Sequence, residues 1–132
     1  MITIAIDFDG TIVDHAYPII GKPAPGALGW IRRFIELEAK VILWTMRDGD
    51  SLSDAKKYLS ENDIPELHGY NNNPTQKFWT QSPKVLADVY IDDRGLGCPL
   101  IMLDGYDRPC VDWSVVGYKV EDIILRDRGI NI

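Results

Sequence analysis

Cysteine is scarce in this chain: Cys98 and Cys110 are the two among 132 residues, and they lack the close spacing of metal or redox motifs. A chain of this length builds a core without a covalent staple, so a disulfide-framed scaffold is excluded and both read as reduced thiols of a cytoplasmic protein. Positive charge is short as well. Fourteen Lys and Arg face twenty Asp and Glu, a net charge of -6, which leaves no broad basic face and excludes strong nonspecific binding to nucleic acid or to an anionic membrane. Long apolar runs are missing too. The opening Met1-Ile-Thr-Ile-Ala-Ile6 passes directly to acidic residues, so neither a secretion signal nor a membrane span is expected.

What remains is 45% hydrophobic and 26% charged, the composition of one globular domain, read here as residues 1–132. Residues 2–6 form a short β-branched apolar run ending at Asp7, the pattern of a strand buried on both faces of a parallel sheet. Leu28, Ile31, Phe34 and Ile35 recur at helical spacing behind Pro25. Residues 41–44 form a second buried run, and Ser51 with Asp54 resembles a capping box opening a helix to about Glu61. Pro65, the asparagines at 71–73 and Pro74 break residues 64–83 into turns, with one short strand near 67–70. Residues 89–91 and 100–103 read as further strands, and Val120, Ile123 and Ile124 before Gly129 as a terminal helix. This alternation predicts an α/β fold on an open, mainly parallel sheet, in which ligands bind at the carboxyl ends of the strands.

Three of those strand ends carry residues able to do chemistry: Asp7, Thr45 and the pair Asp92-Asp93. Asp7-Phe-Asp-Gly-Thr11 sets two carboxylates two residues apart, on one face if extended geometry continues. Gly10 accepts a turn conformation that a Cβ opposes, and Thr11 brings a hydroxyl to the turn. Alone, such a pair is more often a capped turn with solvated acids. A second acidic pair at another strand end changes the reading, because clustered carboxylates repel one another unless a hard divalent cation sits between them. Mg²⁺ is the cation expected.

On these residues the chain resembles the haloacid dehalogenase superfamily, whose strand-end motifs run D-x-D-x-T, then Thr or Ser, then Lys, then an acidic pair. Asp7-Phe-Asp-Gly-Thr11, Thr45, Lys84 and Asp92-Asp93 stand in that order. The resemblance implies a Rossmann-like three-layer α/β/α sandwich and a Mg²⁺-dependent phosphate monoester hydrolase working through a covalent aspartyl phosphate. Asp7 would be the nucleophile, and Asp9 the general acid and then base, its backbone carbonyl also reaching the metal. Thr45 would hydrogen-bond a phosphoryl oxygen, with Gly10, Thr11 and Arg47 also at the substrate, and Lys84 would offset phosphate charge. Lys77 competes for the lysine role, and Lys84 is preferred because it lies nearer the fourth motif. Asp93 is assigned to the metal with Asp92 as support. An acid at position 9 points to phosphate esters, since relatives that break carbon–halogen bonds lack it and cation pumps carry Thr there. A phosphotransferase would use the same residues.

Neither intermotif segment has room for a full cap domain, so an open site is expected unless residues 15–22 or 70–81 fold over it. Open sites in this superfamily accompany large phosphorylated substrates, or homo-oligomers whose neighbour serves as lid. The alternatives are a phosphatase of nucleotides or polynucleotide ends, and a noncatalytic binding domain that keeps the fold. Arg47 and Arg94 either reach a phosphate or pair with nearby acids. Asp14, His15 and Tyr17 are candidates to line the entrance, although a lone His there is more often an exposed loop residue, and residues 95–132 carry no legible motif.

Overall fold

The computed structural model describes residues 1–129; the last three residues of the expected domain lie outside them. Strands β1 (Thr3–Ile6), β2 (Lys40–Leu43), β3 (Gly69–Tyr70) and β4 (Val89–Ile91) form one sheet in the order β3-β2-β1-β4, every pair parallel. Helices α1 (Ala27–Glu36) and α2 (Gly49–Glu61) are the crossovers from β1 to β2 and from β2 to β3. Both step across the sheet in the same direction, so right-handed crossover connections put them on the same face.

The register explains the core. Ile4 aligns with Val41 and Ile6 with Leu43, so these four side chains leave one face. They join Ile31 and Phe34 of α1, Ala55 and Leu59 of α2, and Val116, Val120 and Ile124 of α3 (Trp113–Asp127) in a single apolar cluster. Ala5, Ile42 and Tyr90 share the opposite face. There the chain from β3 to β4 supplies only a 3₁₀ turn (Gln76–Phe78) and irregular backbone. Buried Gln76 organises it, with Nε2 donating to the carbonyls of Ser82 (3.2 Å) and Lys84 (2.6 Å) and Oε1 accepting the Leu86 N–H at 2.7 Å.

Two local expectations are corrected, and the expected terminal helix is present. The capping box of α2 is formed by Asp48 and Ser51, not Ser51 and Asp54: Asp48 is the extended N-cap, and its N–H donates to Ser51 Oγ at 3.2 Å. The apolar run at 100–103 does not enter the main sheet. Its strand β5 (Leu100–Ile101) pairs antiparallel with β6 (Cys110–Val111), and Leu100, Ile101 and Met102 remain exposed. The terminal helix begins at Trp113, where the Asp112 carboxylate accepts the Ser114 N–H at 3.1 Å, and Ile123 faces solvent while Val120 and Ile124 are buried. Both cysteines are free thiols. Among the described residues, no helix is long and apolar enough to cross a membrane.

Helices α1 and α3 meet closely because α3 carries Gly117 against the indole of Trp30: a Cβ at position 117 would overlap that ring. Trp30 is itself held edge-on by Tyr118 at 4.7 Å between centroids and lies against Phe34 at 6.1 Å. Gly117→Ala would gain about 1 kcal/mol of helix propensity, and the overlap outweighs it. The expected result in chemical denaturation is a net loss of about 1–3 kcal/mol, with an altered tryptophan emission.

Candidate active site

The site grows from the carboxyl ends of three adjacent parallel strands. Asp7 follows β1 and continues its ladder, its N–H donating to Ile91 O at 2.9 Å. Thr45 lies just past β2, and Asp92 and Asp93 follow β4. The chain then turns tightly after β1, with the amides of Thr11, Ile12 and Val13 all within 3.2 Å of the Phe8 carbonyl. Gly10 has φ 84°, and a Cβ there would run into the His15 ring and the Asp93 carboxylate. Glycine at this position therefore serves both the left-handed backbone and the close approach.

One carboxylate oxygen from each of Asp7, Asp92 and Asp93 lies within 4.8 Å of the others. Burial, then the charge of Asp92 and the hydrogen bond with Asp93, push the Asp7 carboxyl up to about 8. Three hard oxygen donors that repel each other in this way fit a divalent cation that prefers oxygen ligands. Asp9 is not part of the cluster. Its carboxylate is clasped by Arg47, Nε to Oδ2 and Nη2 to Oδ1 both at 2.8 Å.

Arg47 is buried between the rings of Phe8 and Tyr17. Its other bonds go to the carbonyls of Pro18 (3.1 Å), Ser51 (3.3 Å) and Ile19 (2.9 Å). These contacts use all five guanidinium donors. Arg47 therefore has none left for a substrate, which corrects its expected role as a substrate ligand. It holds residues 17–19, of which Tyr17 lines the cleft, so this part of the 15–22 segment does approach the site. Thr11 is likewise structural: it is fully buried, its Oγ1 donates to Asp7 Oδ2 at 3.3 Å and accepts the Asp93 N–H at 3.2 Å, and its carbonyl accepts Trp113 Nε1–H at 2.8 Å. Gly10 is buried with it.

The carboxylates open into a cleft of about 440 Å³ that Thr45, Arg94 and Arg108 also line. Thr45 Oγ1 accepts the Arg47 N–H at 3.1 Å, leaving its hydroxyl proton for a ligand. Asn71 shapes this loop, its Oδ1 accepting from Thr45 N at 2.7 Å and its Nδ2 donating to Arg47 O at 3.1 Å. Lys84 is not brought here. It lines a separate groove with Trp79 and Tyr90, because it precedes the amino end of β4 whereas Asp92 leaves the carboxyl end, roughly 10 Å of strand away. Lys77 lines a third hollow beside the asparagines.

Two more residues line the cleft: His15, weighed from the sequence as an entrance residue or an exposed loop residue, and Arg108, which the sequence reading missed. His15 sits with Nε2 3.0 Å from Asp93 Oδ2 and Nδ1 2.7 Å from Arg108 Nη2. Arginine only donates, so Nδ1 accepts and Nε2 carries the proton facing Asp93. No local signal marked Arg108, which is 93 residues away in the chain. Asp14 fastens its loop: burial pushes the Asp14 carboxyl up, but N–H bonds from Asp107, His15 and Arg108 prevail and hold it below the ordinary range.

Arg47→Met strips donors from Asp9 and three carbonyls at once, and the expected loss is about 2–4 kcal/mol in denaturant titration. For Asp7 the folded carboxyl titrates above its unfolded value, so its contribution to stability is present at acid pH and is lost as pH rises toward about 8. In metal-free protein, Asp7→Asn should therefore raise the melting temperature above wild type at pH 8 to 9. The advantage should shrink toward pH 5, and an advantage constant with pH would disprove the assignment.

No protein-family model matches the chain, and no curated protein matches it. A solved structure, that of a conserved protein coded by a locus of Bacteroides thetaiotaomicron, is similar to it with a TM-score of 0.77 and 30% identity, over 92% of this chain and 91% of that one. At that identity and coverage, the chain belongs to the same family as this conserved Bacteroides protein.

Proposed function

We propose that the chain is a Mg²⁺-dependent phosphate monoester hydrolase of the haloacid dehalogenase type, acting through a phosphorylated Asp7. The observation that carries this reading is the convergence of Asp7, Asp92 and Asp93 within 4.8 Å at the mouth of a cleft that also holds Asp9 and Thr45. Asp7, Asp92 and Asp93 would hold the cation, which when bound keeps Asp7 ionised and draws charge from the phosphoryl oxygens.

The Asp7 carboxylate attacks phosphorus, a bond forms between its oxygen and phosphorus, and the ester P–O bond breaks. Asp9, as general acid, gives a proton to the departing oxygen. Its carboxylate then takes a proton from the water that attacks the aspartyl phosphate, so the Asp7–phosphorus bond breaks and inorganic phosphate leaves. In the ligand-free arrangement both Asp9 oxygens accept from Arg47. Asp9 must release at least one of these bonds to act, and Arg47 orients it until then. The Thr45 hydroxyl donates to a phosphoryl oxygen. The cleft stands without a cap domain, and residues 17–19, of which Tyr17 lines it, are held by Arg47.

Phosphate release from a panel of phosphate esters should require Mg²⁺, stop with EDTA, and fall by at least about a thousandfold in Asp7→Asn and Asp9→Asn. Turnover retained in Asp7→Asn would refute the mechanism. Cation binding without turnover of any ester would make the cleft a binding site instead.

A further inference from the structure

We infer that Arg108 is the residue that binds the phosphoryl group's negative charge, in place of a lysine, and that His15 positions it; this inference rests on the phosphatase reading above. The cations of the cleft can be accounted for one by one. Arg47 keeps three of its five donors on backbone carbonyls, and the other two are on Asp9, which it orients. Lys84 and Lys77 line other hollows. Arg94 and Arg108 remain, and both line the cleft beside Asp7.

Arg108 is the better placed of the two. Among the described residues, the Arg94 guanidinium has no hydrogen-bond partner, so fixing its long side chain on a ligand would cost rotamer entropy. Arg108 is aimed in advance by the 2.7 Å contact of Nη2 with His15 Nδ1, and His15 is fixed in turn by Asp93 at 3.0 Å. That contact uses one guanidinium donor and leaves others to meet a phosphoryl oxygen pair as a planar fork. The backbone that carries it is tied down at several points. Asp107 N–H donates to buried Asp14 Oδ2 at 2.9 Å, Tyr106 Oη to Pro23 O at 2.7 Å, Lys22 Nζ to Gly105 O at 3.2 Å, and Val111 N–H to Gly10 O at 3.1 Å. Every one of these ties leads back to residues 10–23, the segment that follows Asp7.

The test is calorimetric titration of inorganic phosphate into Mg²⁺-loaded protein, with thermal melts on each variant. Wild type should bind, Arg108→Met should weaken binding by at least about tenfold, and Arg108→Lys should fall between them because it keeps the charge without the fork. Lys84→Met should stay within about twofold of wild type. His15→Phe should weaken binding when Arg108 is present and change it little in Arg108→Met, the coupling expected of a positioning residue and not of a merely structural one. Binding by both arginine variants within about twofold of wild type, or an equal loss in Lys84→Met, overturns the inference while leaving the phosphatase intact. Wild type that neither binds phosphate nor hydrolyses any ester refutes the phosphatase reading, and the inference falls with it.

Discussion

A buried guanidinium is the interaction on which the cleft depends. A charge out of water is tolerated only when it is paired and its hydrogen-bonding capacity is filled, and Arg47 meets both conditions with one carboxylate and three carbonyls. Those partners come from the turn after β1, from residues 18 and 19, and from the first turn of α2. One side chain therefore joins Asp9, the segment at residues 17–19 and the helix behind it, and stacking between Phe8 and Tyr17 completes its enclosure.

Beside it lies a deliberate imbalance. Asp7, Asp92 and Asp93 crowd together, and burial first, then the charge of Asp92 and the hydrogen bond with Asp93, push the Asp7 carboxyl up to about 8. The two arrangements divide the labour. Asp9 is paired and held in place by Arg47, whereas Asp7, Asp92 and Asp93 face one another within 4.8 Å. Parallel strands make this separation easy, because neighbouring carboxyl ends bring residues far apart in the chain to one edge, while side chains two apart along a strand end are free to find different partners.

The second arginine system works by relay. His15 bridges Asp93 and Arg108 through its two ring nitrogens, so the acidic end of β4 and the loop before β6 are mechanically one unit. The small antiparallel pair of β5 and β6, which adds nothing to the main sheet, returns the chain to Gly10 and delivers Arg108 to the cleft. Its β5 residues are exposed, whereas Cys110 and Val111 of β6 are buried in the core.

Much of this was legible without coordinates. Apolar runs ending on Asp7, Thr45 and Asp92 report the parallel strands β1, β2 and β4, the last an edge strand with Tyr90 exposed, and helical spacing of Leu28, Ile31, Phe34 and Ile35 reports α1, because burial leaves a periodic mark on neighbouring residues. The sequence by itself determined the parallel α/β core and which strand ends would carry carboxylates. Tertiary structure decided the rest: that Arg47 is consumed by Asp9, that Lys84 stands at the wrong end of β4, and that His15 joins Asp93 to Arg108. These are long-range pairings between single polar side chains. A lone arginine or histidine carries no periodicity, and its partner is chosen by how the folded loops meet in space.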